Sequence, residues 1–279
     1  MARNKKDVIV IPWDYTESSE IALLHAIQLA KEVNNHIMLA RFLESPGMFA
    51  GKAVKEKLIS EEKEKLKEVG ERILKEHQVN PYIAVEVGVK RSNFNKLVKD
   101  AKANLILCGA TYKASDKTTF EIKDFTKRMK GIDIPFIVAV EKPAHNYYKE
   151  IVVPLDHDKK YKETLHWVVY LSKYYNCNIN IIKPYIEDDY RKKEMANNIY
   201  FTKKMLDKKN IIYGIKTAKK NRQFEEEVLR FAENIDSDLI VIMIRKYSKY
   251  IADHPERKEK IPIMVINRNS QIIKYGGFR

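Results

Sequence analysis

The chain has few of the residues that staple or activate a small protein: two cysteines in 279 residues. Cys108 and Cys177 lie in apolar or mixed runs without CxxC spacing, which excludes a disulfide framework and a zinc site and reads as two buried thiols. No stretch approaches the roughly 18–20 uncharged apolar residues of a membrane span. The start, Met1-Ala2-Arg3-Asn4-Lys5-Lys6-Asp7, runs into a strand-like segment and has no apolar stretch with a small-residue cleavage site, so a cytoplasmic protein is expected. Catalytic signatures are missing too. There is no Gly-x-Ser-x-Gly elbow and no Walker loop. The Asp-x-Asp-x-Thr pattern of phosphoryl-transfer hydrolases fails at Lys160, and the Ser-Gly-Gly-x-Asp-Ser loop of nucleotide hydrolases is absent from Asp14-Tyr15-Thr16-Glu17-Ser18-Ser19. The triplet Asp156-His157-Asp158 would suit a metal or a phosphotransfer pair, but three side chains adjacent in sequence rarely converge on one ion, which argues against a metal. His25 and His166 fall on helix faces as core or boundary residues.

What the chain does have is charge and repetition. Lys and Arg number 52 against 38 Asp and Glu, a net +14, which would attract phosphate-bearing partners by long-range field. The basic–aromatic signature of common nucleic-acid modules is absent, which argues against a nucleic-acid partner. Runs such as Glu61-Glu62-Lys63-Glu64-Lys65-Leu66-Lys67-Glu68 read as a solvated helix face with i,i+4 pairs. Ile9-Val10-Ile11-Pro12-Trp13-Asp14 recurs as Ile151-Val152-Val153-Pro154-Leu155-Asp156 at an offset of 142, and Leu23, Leu29, Lys31, Asn34 and Ile37 keep that offset. Asn104-Leu105-Ile106-Leu107 matches Asp238-Leu239-Ile240-Val241 at offset 134, and Ile134-Pro135-Phe136-Ile137-Val138 matches Ile261-Pro262-Ile263-Met264-Val265 at offset 127. Two related halves follow, residues 1–142 and 148–268, joined near Glu141-Lys142-Pro143-Ala144-His145-Asn146.

Within each half, short apolar runs alternate with helical periodicity, the pattern of βα units on a mostly parallel sheet. Strands are predicted at 7–12, 36–42, 82–87, 104–109 and 135–140. A helix capped by Thr16 or Ser18 runs to Asn34-Asn35, and others span 52–78 (Leu58, Leu66, Val69, Ile73 and Leu74 inward), 92–102 and 117–130. The second half repeats strands near 150–155, 178–183, 210–217, 238–244 and 262–267, with helices near 160–175, 187–208 and 222–235. Its last connection is shorter, 18 residues against 25, which argues against a full fourth helix.

A strand ending in Pro-x-Asp, the Asn/Asp-Leu-Ile strand and the final Ile-Pro strand together resemble the universal stress protein family, here in tandem. The resemblance implies two five-stranded, parallel, Rossmann-like α/β domains (of the adenine nucleotide alpha hydrolase-like type) pairing through their last strands as an intramolecular pseudo-dimer. A further homo-oligomer or a protein partner would add to that pairing. ATP-binding members carry Gly-x-x-Gly, nine residues, then Gly-Ser or Gly-Thr after the fourth strand, so that bare backbone N–H groups approach the phosphates. Here only the first glycine stands, Gly109. Tyr112 occupies the second position, Ile122-Lys123 the last pair, and Met243-Ile244-Arg245-Lys246 has no glycine. Pro12, Trp13, Asp14, Ala40, Gly109, Ala110 and Tyr112 mark the vestigial nucleotide crevice, with Arg41, Lys113, Arg245 and Lys246 able to draw an anion. Asp14 and Asp156 stand where the family's aspartate meets the nucleotide; each also reads as a cap of the next helix, worth about 0.5–2 kcal/mol. The expectation is a non-catalytic stress-response protein acting by binding or regulation, with no cofactor. The alternative is an ATP-binding sensor or weak ATPase using the first half.

Overall fold

Strand β1, Val8–Pro12, is buried at every position, the signature of a strand covered by helices on both faces. The computed structural model describes residues 7–47, 51–88, 91–109, 129, 132, 134–155, 157, 161–246, 249–250 and 260–266. After β1 come α1 (Glu17–Val33), β2 (His36–Leu43), α2 (Lys52–His77), β3 (Tyr82–Val87), α3 (Arg91–Asp100), β4 (Ala103–Gly109) and β5 (Phe136–Ala139). The second half runs β6 (Glu150–Pro154), α4 (Tyr161–Tyr175), β7 (Asn178–Lys183), α5 (Asp189–Asp207), β8 (Tyr213–Thr217), α6 (Phe224–Asn234), β9 (Leu239–Met243) and β10 (Ile263–Ile266). The helix predicted over 117–130 lies outside the described residues except Met129, and after β9 a single 3-10 turn, Ile244–Lys246, is described.

All ten strands form one sheet in the order β3-β2-β1-β4-β5-β10-β9-β6-β7-β8. Every described pairing is parallel except the central one, where β10 runs antiparallel to β5 with Met264 opposite Ile137. Each half therefore contributes five strands, and each last strand hides the edge of the other, an edge that would otherwise present unpaired backbone groups. Period-2 alternation sends Ile9, Ile11, Ile37 and Leu39 to the face covered by α1, α2, α4 and α5. Val8, Val10, Ala40 and Phe42 point to the face covered by α3 and α6. Both cysteines are buried, and burial pushes the Cys177 thiol up, away from reactivity. Two sequence expectations for α2 need correction. Leu74, expected inward, is 45% exposed, while Glu62, expected on the solvated face, is buried. The buried stripe of α2 is Glu62, Leu66, Gly70 and Ile73, so Leu74, one position further round the helix, falls outside it, while Glu62 lies on it.

The segment joining the halves is a strap tied to both. Buried His25 of α1 contacts Tyr148 Oη through Nδ1 at 2.5 Å and the Glu141 carbonyl through Nε2 at 3.0 Å. A carbonyl only accepts, so Nε2 carries the proton and Tyr148 donates to Nδ1; burial holds this imidazole neutral. Gln28 Nε2 donates to the His145 carbonyl at 2.6 Å. On the other side, His145 Nδ1 meets Asp238 at 2.6 Å and Nε2 meets Asp236 at 3.0 Å. Asp238 also accepts the N–H groups of Lys149 (2.6 Å) and Glu150 (2.8 Å). Replacing Asp238 with alanine should cost about 2 kcal/mol in a denaturant melt, because the two backbone donors lose a charged acceptor. The hydrogen bond and charge of Asp238, helped by Asp236, raise His145 above its ordinary 6.5. A raised folded-state value stabilises fully below the unfolded value and fades as pH climbs through the folded one. The stability gap between wild type and His145→Asn should thus be widest below pH 6.5 and shrink as pH climbs through the raised folded value; a gap independent of pH would contradict the ion pair.

Candidate functional site

Ligands of open α/β sheets sit beyond the carboxyl ends of the strands, and in the first half those ends are closely packed. Pro12 and Ala40 are register partners on β1 and β2, and Trp13 N–H continues the ladder to the Ala40 carbonyl at 2.9 Å. The Trp13 ring is 2% exposed, and its indole N–H has no hydrogen-bond partner among the described residues. Asp14 turns back onto the start of α1. Its Oδ1 accepts the Thr16 N–H at 3.1 Å, the Thr16 hydroxyl at 2.5 Å and the Ser19 hydroxyl, while its own N–H donates to Ser19 Oγ at 3.0 Å. Thr16 is the N-cap by backbone geometry but makes no side-chain cap bond, because its hydroxyl serves Asp14 instead.

The next residue, Tyr15, has φ +63°, a left-handed conformation that costs a bulky side chain energy. The turn lays its ring edge-on to Trp13, centroids 6.3 Å apart, and under the Arg41 guanidinium at 5.4 Å. Arg41 Nε pairs with Glu62 of α2 at 3.2 Å, with side chains 15% and 9% exposed, and its Nη1 donates to the Trp13 carbonyl at 3.4 Å. Lys65 reaches the other Glu62 oxygen at 3.3 Å. Burial alone would raise the Glu62 carboxyl. The Tyr15 hydroxyl, Lys65 and Arg41 outweigh it and hold the group below the ordinary glutamate value. Burial, then Glu62, pushes the Tyr15 hydroxyl up. Arg41, expected to draw an anion, is therefore already committed to a carboxylate.

Gly109, at the end of β4, has a role other than the one its position suggests. A Cβ built there would fall into the Ser18 carbonyl of α1, so the glycine is required by the close approach of the first helical turn to β4. Among the predicted crevice residues, Pro12, Trp13, Asp14, Ala40 and Gly109 gather at the ends of β1, β2 and β4; Ala110 and Tyr112 lie outside the described residues, as do Lys113 and Asp156. Sequence reading missed Tyr15, Ser18, Ser19, Glu62 and Lys65. Ser19 alone had a legible signal, a hydroxyl one turn beyond Asp14; Glu62 was hidden in an alternating run of charge. At the matching place in the second half, Pro154, Tyr161, Thr164, Met243, Arg245 and Lys246 line a cavity of about 30 Å³, a space on the scale of ordered water rather than a mononucleotide.

Residues 6–117 match the model of the universal stress protein family. No curated protein sequence matches the chain. Among solved structures, a universal stress protein from Archaeoglobus fulgidus superposes with a TM-score of 0.71 at 13% identity, covering 95% of this chain and 99% of that one. A functionally unknown protein from Pseudomonas aeruginosa gives 0.55 at 12% identity, with 97% and 95% covered. At such identities the likeness establishes the fold, and it spans both halves. No helix among the described residues is long and apolar enough to cross a membrane. The first half thus carries the match to the universal stress protein family over residues 6–117, and the second half repeats the same fold within one sheet.

Proposed function

We propose that this protein acts by binding or regulation, without catalysis, and that its first half does not hold ATP. The observation that carries the reading is the packing at the ends of β1, β2 and β4. Trp13 is buried, Glu62 and Arg41 neutralise each other, Asp14 is bonded to Thr16 and Ser19, and the Ser18 carbonyl lies against Gly109. A triphosphate would have to displace an ion pair and a helical turn. The departures at Tyr112, Ile122 and Lys123 from the family's glycine pattern support the same reading. One observation favours the second reading, an adenine-nucleotide sensor: the buried Trp13 indole N–H is unsatisfied among the described residues, and a ligand acceptor would relieve the cost of about 1–3 kcal/mol.

The test is a melt with ATP on wild type and Asp14→Ala, beside analysis of the denatured protein for released adenine nucleotide. No released nucleotide and an unshifted melt are expected. Stabilisation near the ~2.7 kcal/mol of a ligand at 100 times its dissociation constant, abolished in Asp14→Ala, would establish the sensor instead.

A further inference from the structure

The sheet ends on one side at β8, and that edge is both open and surrounded by positive charge. In a parallel pair, one residue's N–H and C=O point to the same neighbour and the next residue's point away. The Ile212 carbonyl accepts from Ile179 N–H at 3.0 Å, and the Ala218 N–H donates to the Lys183 carbonyl at 2.8 Å. With Tyr213 opposite Ile179 and Thr217 opposite Lys183, Gly214 and Lys216 bond to β7, while Tyr213, Ile215 and Thr217 aim their N–H and C=O groups outward. The strand is approachable: Ile212 is 74% exposed, and a Cβ on Gly214 would meet nothing within 4 Å. Beside it lies a groove of about 680 Å³ lined by Lys216, Lys219, Arg222 and Arg230 and also by Glu226, Glu227 and Glu233, with Arg222 paired to Glu227.

Residues 183–222 hold twelve Lys and Arg against five Asp and Glu, seven of the chain's fourteen excess positive charges. Lys208 and Lys209 precede β8, and Lys216, Lys219, Lys220 and Arg222 follow along or after it, all exposed. Lys208 and Lys209 have no carboxylate partner among the described residues. The opposite edge differs: β3 carries Glu86 and no Lys or Arg, and its outward Val87 carbonyl is covered by Asn93 Nδ2 at 2.8 Å.

We infer that β8 is a docking edge for an extended acidic segment of a partner protein, which adds as an eleventh strand. Alternating outward donors and acceptors require a partner with both, in register, which a peptide backbone has and a phosphate chain lacks. The flanking lysines select acidic side chains, and they oppose pairing with the same edge of a second copy, which would bring like charges together. The inference stands apart from the nucleotide reading, since neither the edge nor its cations belong to the crevice above β1 and β4.

The test is titration of the full chain with three labelled probes: a decapeptide of alternating Glu and Val, its Lys–Val counterpart, and a single-stranded oligothymidine. Hydrogen exchange is followed at the amides of Tyr213, Ile215 and Thr217. The Glu–Val peptide should bind, weaken with added salt and slow exchange at those three amides. Thr217→Pro removes an outward donor only, a position where an edge strand tolerates proline; it should weaken binding about tenfold or more with little change in the melt. Should that variant fail to fold, Lys216→Glu combined with Lys219→Glu gives the same readout. Equal binding of the Lys–Val peptide, protection by the oligonucleotide alone, self-association through this edge, or no binding by any probe each overturns the inference; in the last case the lysines serve only to keep edges apart.

Discussion

Glu62→Ala is expected to cost about 3–5 kcal/mol of folding stability, the largest effect of any single substitution considered, because it removes one member of a buried ion pair and leaves the other charge in place. Arg41 and Glu62 have side chains 15% and 9% exposed, so water does not readily take over the guanidinium, and Tyr15 and Lys65 lose the same acceptor. A urea melt reads the loss directly. The companion experiment is Arg41→Met with Glu62→Leu: two apolar side chains of similar volume remove both desolvation costs, and the double variant should regain most of the loss. The pH dependence has a definite sign. Glu62 lies below the ordinary glutamate value when folded, so its contribution is complete above the unfolded value and disappears as pH falls through the folded one. A loss under about 1 kcal/mol, typical of solvent-exposed pairs, would mean that the cluster does not close the crevice as described.

Gly109→Ala should destabilise by about 3 kcal/mol, the upper end of ordinary overpacking, since the new methyl group meets main chain that cannot change rotamer. The atom it meets is the Ser18 carbonyl, in the first turn of α1, and any accommodation must shift α1 or the end of β4. Gly214→Ala is the control. A Cβ at Gly214 meets nothing within 4 Å, so that change should leave the melt unaltered or slightly raised. Equal responses from the two variants would refute the packing role of Gly109. The expected loss requires no nucleotide, and this separates the packing role from a phosphate-binding one.

Gly109 is a residue for which the family resemblance and the packing give different reasons. A glycine after the fourth strand matches a phosphate-loop pattern, yet the local requirement here is the distance between β4 and α1, which depends on how the helix crosses the sheet. Asp14 was legible as both a ligand contact and a helix cap; the bonds to Thr16 and Ser19 belong to the second description. Glu62 was illegible. In a run alternating Glu and Lys every acid has a plausible solvated partner at i±3 or i±4, and nothing local distinguishes the one that lies on the buried stripe of α2. Tyr15 was hidden for a related reason, since a left-handed turn at a tyrosine leaves no composition signal of the kind glycine leaves.

The strands, their order along the chain and the duplication were determined by the sequence alone, because a strand buried on both faces must be a short apolar run and a repeated run keeps its offset. The resemblance implied that the last strands pair; the tertiary structure added the antiparallel register of β10 on β5 and the strap held by His25 on one side and Asp236 and Asp238 on the other. It also decided which charges are buried and which edge stays open. These are properties of surfaces brought together from distant positions, and one-dimensional periodicity encodes which face a side chain takes but not what covers that face.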